Sequence, residues 1–80
     1  MKTFNIILNS INDVKNFVNI VNKYDFDIDL ISDRYVVDAK SIMGIFSLDL
    51  TKPLVMVAHT DSYIELLRAI APFEYVPPKK

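Results

Sequence analysis

The sequence predicts an α+β domain in the order β-α-β-β-α-β-α, a four-stranded antiparallel sheet carrying three helices on one face. Three observations lead there. Apolar residues recur at a period of two in some segments and near 3.6 in others, and the two kinds are interleaved. One run, Leu54 to Ala58, is apolar on both faces, as an interior strand under helices would be. The chain has 80 residues, 51 % of them apolar, which suffices for one core and not for two. Residues 1–80 therefore read as a single domain, with 73–80 as an extended C-terminal tail.

Thr3 to Leu8 is β-branched and apolar and reads as the first strand. Asn9 and Ser10 offer capping oxygens, and Ser10 stands three residues before Asp13, the spacing of a capping box. Ile11, Val14, Phe17, Val18 and Val21 then repeat at helical spacing, with Lys15, Asn16, Asn19 and Asn22 opposite, so an amphipathic helix runs to about Lys23.

From Asp25 to Leu30 acidic and apolar residues alternate, the period of a half-buried strand. A tight turn at Ser32-Asp33-Arg34 returns the chain as Tyr35-Val36-Val37, closing a hairpin. Ser41 opens a short helix carrying Ile42, Ile45 and Phe46. Pro53 cannot donate to a ladder, so the last strand starts at Leu54. Thr60, Asp61 and Ser62 are expected to cap a third helix with Ile64, Leu67 and Ile70 on its apolar stripe, ended by Pro72.

Charge and composition exclude several functions. Nine Lys and Arg against ten Asp and Glu leave no basic field for a nucleic-acid backbone. No segment reaches the roughly 18 apolar residues of a membrane span, and the first residues lack the pattern of a signal peptide. With no cysteine there is neither a disulfide nor a thiolate metal site, which fits the cytoplasm. Asp25, Asp27 and Asp29 lie in line on one strand face with Asp33 beyond, and cation ligands must converge, so no metal is expected. Gly44 is the only glycine, so a glycine-rich phosphate loop cannot form, and no cofactor is expected.

One group of motifs is more specific. Lys23-Tyr24-Asp25 is followed after fourteen residues by Lys40-Ser41-Ile42-Met43-Gly44 and then by Ser47-Leu48. This pattern, without a gap, resembles HPr, the phosphocarrier of the bacterial phosphotransferase system, in its Gram-positive form. The resemblance implies an HPr-like open-faced sandwich. It implies that Ser41 is the serine phosphorylated by HPr kinase. It also implies that Lys40, Ser41, Ile42, Met43 and Phe46 belong to a surface that docks phosphotransferase-system enzymes or a transcriptional regulator.

The departure is at the first loop. The family carries a His, an Arg two residues later and then a Pro where the first strand enters the first helix. Here that place reads Leu8-Asn9-Ser10-Ile11-Asn12-Asp13-Val14, about three residues short and without an imidazole nucleophile or a cation for phosphoryl oxygens. Ser10 is best explained as a cap.

The sole histidine, His59, ends the last strand. Five residues at about 3.3 Å each separate it from Leu54, so it should lie roughly 16 Å from the loop. The expected function is an HPr-like regulatory or protein-binding module that is not an enzyme. The alternatives are a carrier that uses His59 as a non-standard acceptor, or a scaffold reused for structure or self-association. Ser41 has a structural reading too, as an N-cap worth about 1 kcal/mol.

Overall fold

The computed structural model describes residues 1–76. Four strands, β1 (Lys2–Ile6), β2 (Ile28–Ser32), β3 (Tyr35–Asp38) and β4 (Leu54–Ala58), form one antiparallel sheet in the order β1-β4-β2-β3. Three helices, α1 (Ile11–Val21), α2 (Ile42–Phe46) and α3 (Ile64–Ala69), complete the α+β fold, and a 3₁₀ turn spans Ala71–Phe73. The open-faced sandwich is the architecture that the resemblance implied.

The register fixes the two faces. Ile6 stands opposite Leu54 and Phe4 opposite Met56, while Leu30 pairs Met56 and Ile28 pairs Ala58. With a side-chain period of two, these residues share the helix-covered face. They are buried there with Val14, Phe17, Val21, Ile45, Leu66, Ile70 and Phe73. Phe17 and Phe73 meet edge to face with centroids 5.9 Å apart, tying α1 to the C-terminal turn. The helix-free face carries Thr3, Asn5, Asp29, Ile31, Val36, Asp38, Val55 and Val57.

Several expectations are corrected by the structure. Residues 7 and 8 leave β1 and lead toward Ser10, although Leu8 stays buried. β2 starts at Ile28, so of the three alternating aspartates only Asp29 lies on the strand. Asp25, Phe26 and Asp27 are needed to turn the chain out of α1, whose last turn closes through Lys23 N–H to Ile20 O and Tyr24 N–H to Val21 O. α3 begins at Ile64, and its N-cap position is Tyr63, which makes no side-chain capping bond. Its buried stripe therefore runs through Leu66 and Ile70, and Ile64 faces out. Ile11, the first helical residue of α1, is 63 % exposed instead of joining the core.

Asp33 supplies the hairpin turn with φ of 53°, a left-handed conformation that Asp adopts more readily than most residues. At the C-terminus Phe73 closes the 3₁₀ turn and Glu74 runs extended beside Ile6. The rest of the expected tail, residues 77–80, lies outside the described residues.

Candidate functional site

The segment joining β3 to α2 is held by main-chain and side-chain bonds in sequence. Asp38 Oδ1 accepts from Lys40 N–H at 2.9 Å, and Asp38 O accepts from Ser41 N–H at 3.0 Å. Ser41 then takes an extended conformation, φ −101° and ψ 106°, and its Oγ accepts from Gly44 N–H at 3.2 Å. This is N-cap geometry, satisfying one of the amides that a helix start leaves unpaired. α2 is only five residues long and is anchored by Ile45, which is fully buried. Ser47 Oγ donates to Gly44 O at 2.6 Å at its other end.

With Ile45 pointing inward, helical spacing turns Met43 and Phe46 outward. Met43 is 76 % exposed and Phe46 42 %, while Ile42 and Ser41 are half-buried. Phe46 borders an open cleft of about 340 Å³ whose other walls include Ser10, Ile11 and Leu50. The N-terminus of α1 and the outer face of α2 thus form one surface, with Ile11, Phe46 and Met43 as its exposed apolar members. The exposure of Ile11 had no clear signal in the sequence, because its spacing fits the apolar stripe of α1. Asp49 stands near this surface, its carboxyl held below the usual range by hydrogen bonds from the Thr51 hydroxyl and amide and by the charge of Lys52.

Lys40 also has a bond within the fold. Its side chain is half-buried, and Nζ donates to Tyr24 O at 2.6 Å, just beyond the end of α1. The ammonium is therefore engaged within the fold, where it satisfies the Tyr24 carbonyl in the connection that follows α1. It ties the end of α1 to the segment that carries Ser41.

At the N-terminus of α1 the capping is reciprocal. Ser10 Oγ accepts from Asp13 N–H at 3.1 Å, and Asp13 Oδ2 accepts from Asn9 N–H at 2.9 Å. These bonds occupy the place where the first strand enters the first helix, and no imidazole or guanidinium is in this segment.

His59 lies at the other end of β4. Ile6 pairs with Leu54 and Lys2 with Ala58, so the first loop sits near Leu54 and His59 lies one strand length away, roughly 16 Å. Its Nε2 meets Asp29 Oδ2 at 2.8 Å, and its amide donates to Asp27 O at 2.9 Å. Asp27, Asp29 and Asp38 line an open cleft with it. Among the described residues, no three His, Cys, Asp or Glu side chains are placed to hold a metal ion. No helix among them is long and apolar enough to cross a membrane.

The sheet order, the three helices and the serine-capped α2 define the HPr type of fold. Solved structures agree. HPr-C-His from Thermoanaerobacter tengcongensis matches with a TM-score of 0.76 at 28 % identity, over 90 % of this chain and 89 % of that one. The phosphocarrier protein HPr from Bacillus anthracis matches with a TM-score of 0.71 at 24 % identity, over 92 % and 96 %, a likeness of fold. A search of curated protein sequences returns no match. The family model described as the PTS HPr component phosphorylation site matches residues 13–61, a span that contains Ser41 and begins after Asn9 and Ser10. The chain belongs to the PTS-HPr family.

Proposed function

We propose that this HPr-family chain works in the cytoplasm as a regulatory, protein-binding module and does not carry phosphate on histidine. It docks phosphotransferase-system enzymes or a transcriptional regulator through Met43, Phe46, Ile42 and Ile11, and Ser41 accepts a phosphoryl group from HPr kinase. The observation that carries this reading is the pairing of an exposed apolar surface around Ser41 with a sealed cap at Ser10. Met43 suits such a surface, because its flexible thioether side chain adapts to a partner. Lys40 contributes by holding the Ser41 segment against α1.

The kinase step moves the γ-phosphoryl of ATP to Ser41 Oγ, with ADP leaving and the hydroxyl proton passing to the kinase. The dianion would take the place of the hydroxyl at the start of α2, where Gly44 N–H already points at Oγ. Incubation with HPr kinase and ATP is expected to label the wild type and not Ser41→Ala. An unlabelled wild type would refute the phosphoacceptor role. Labelled phosphoenolpyruvate with enzyme I is expected to leave no acid-labile label, and such label would refute the loss of carriage.

The alternative acceptor, His59, is disfavoured by its charges. Nε2 is engaged by Asp29, and a phosphoryl dianion on the ring would face Asp27, Asp29 and Asp38. Like charges at that range oppose the product.

A further inference from the structure

The two edges of the sheet are treated differently. Along β1, Ile7 N–H donates to Phe73 O and Tyr75 N–H donates to Asn5 O, both at 2.8 Å, and Glu74 bridges Ile6. The C-terminal segment therefore covers that edge. Among the described residues nothing is paired along the outer side of β3, where Tyr35 is 65 % and Val36 61 % exposed. β3 has no proline and no lysine, two of the devices by which edge strands resist pairing.

Main-chain directions along β3 follow from the hairpin. Ser32 and Tyr35 close the two-residue turn, and Ala39 N–H donates back to Ile28 O at 2.8 Å. Tyr35, Val37 and Ala39 thus turn their main-chain groups toward β2, and Val36 and Asp38 turn theirs outward. Asp38 O is already taken by Ser41 N–H. Among the described residues, Val36 N–H, Val36 C=O and Asp38 N–H remain open on the edge.

We infer that this edge pairs with a second copy of the chain, β3 against β3 antiparallel, about a two-fold axis beside Val36. Charge complementarity selects the occupant and the register. With Val36 opposite its own copy, Arg34 of each chain stands opposite Asp38 of the other, and Tyr35 opposite Val37. Each Val36 N–H then donates to the facing Val36 C=O, and each Asp38 N–H to the facing Arg34 C=O. Opposite charges directly across a strand pair are favourable and like charges are not. A slip of two residues in one direction sets Arg34 against Lys40. A slip in the other sets Arg34 against Val36 and leaves Asp38 facing Ser32 beyond the turn. On the helix-free face, the apolar cross-strand row Val55–Ile31–Val36 continues through the axis. The inference goes beyond the proposed docking function and does not depend on it.

Mass in solution, measured by light scattering from micromolar to millimolar concentration, tests it. The wild type is expected to rise from 9.2 kDa toward twice that mass. Arg34→Asp should raise the concentration needed at least tenfold, and the swap Arg34→Asp with Asp38→Arg should bring it back. Val36→Pro removes only an outward N–H, a change an edge strand tolerates, and should leave a monomer with an unchanged circular dichroism spectrum.

The chain has no cysteine, so Val36→Cys gives a second measurement. Facing residues of a hydrogen-bonded antiparallel pair have Cα atoms about 5.5 Å apart, within disulfide range. Oxidation should therefore cross-link Val36→Cys faster than the exposed control Thr51→Cys. If the swap variant is impaired for other reasons, this cross-link decides. A wild type that stays at 9.2 kDa throughout, with Val36→Cys cross-linking no faster than Thr51→Cys, overturns the inference. So does a dimer indifferent to Arg34→Asp and Val36→Pro.

Discussion

Replacing Ser41 by Ala and by Asp separates the cap from the charge that phosphorylation would add. Ser41 Oγ accepts from Gly44 N–H at 3.2 Å, longer than the usual 2.9–3.0 Å or so of an N–H···O bond. Loss of an N-cap costs about 0.5–2 kcal/mol. The long bond and half-exposed setting place Ser41→Ala in the lower part of that range, at about 0.5–1 kcal/mol. For a domain of this size about 1 kcal/mol moves Tm by roughly 4–8 °C, so Ser41→Ala should melt roughly 2–8 °C lower. Asp retains an acceptor for Gly44 N–H. The first turn of α2 holds no acidic residue to repel it, and a negative charge at a helix start gains about 0.3 kcal/mol or more. Ser41→Asp should therefore melt within about 2 °C of the wild type. Thermal unfolding followed by circular dichroism at neutral pH and low salt is the assay. If Ser41→Asp falls as far as Ser41→Ala, the site does not tolerate an anion, and the physical case for phosphorylation fails.

Lys40→Met should lower stability by about 1 kcal/mol, seen as a Tm drop of roughly 4–8 °C, because Tyr24 O loses its donor. An unchanged Tm would mean that water replaces the ammonium there without loss. Met43→Asp should leave stability within about 0.5 kcal/mol of the wild type in urea unfolding, as exposed positions do, yet reduce capture of partners at least tenfold in a pull-down. Equal capture would remove Met43 from the docking surface. Tyr24 should titrate above its ordinary 10.0, because burial disfavours the phenolate and the Glu65 carboxylate adds repulsion and a hydrogen bond to the neutral form. The raised value favours the protonated form in the folded state, so this contribution is intact below pH 10.0 and is lost as pH rises through the folded pKa. NMR titration of the Tyr24 ring should show Glu65→Gln moving the midpoint back down, and an unmoved midpoint would assign the shift to burial alone.

The parts legible in the sequence were those decided by local chemistry. β4 could be read from end to end because it is apolar on both faces and follows a proline. The caps at Ser10 and Ser41 were legible because each lies three residues before the amide it accepts from. The misses came from packing that no short window contains. The alternation from Asp25 to Leu30 looked like strand throughout, but Tyr24 meets Phe26 with ring centroids 5.5 Å apart and accepts from Lys40, which holds that stretch in the turn after α1. Ile64 fitted the stripe of α3 only if the helix began earlier; with its start at Ile64, Leu66 takes the buried place. Lys40 was expected on the docking surface beside the serine, and only the approach of the end of α1 shows its bond to Tyr24 O. The open edge of β3 was hidden for the same reason, since the strand order is set by pairings between distant segments.

Two serines in this chain cap helices through the same bond, Oγ accepting from the amide three residues on, and their surroundings separate their chemistry. At Ser10 the capped amide belongs to Asp13, whose own carboxylate turns back to Asn9 N–H. A phosphoryl group on Ser10 would sit beside that carboxylate, and it would lose the reciprocal bonds that close the start of α1. At Ser41 the capped amide belongs to Gly44, which has no side chain and brings no charge. A Cβ built on Gly44 would stand 3.4 Å from Ser41 Oγ, so the glycine leaves room on that side of the hydroxyl. The carboxylate of Asp38, which accepts from Lys40 N–H, carries the same sign as a phosphoryl group, but it belongs to the segment before Ser41 and not to the capped residue. Capping alone therefore does not distinguish a structural serine from a modifiable one. The residue three places on does, through the charge and bulk that it sets against the hydroxyl. In this chain that criterion favours Ser41 over Ser10 as the acceptor in the proposed kinase step.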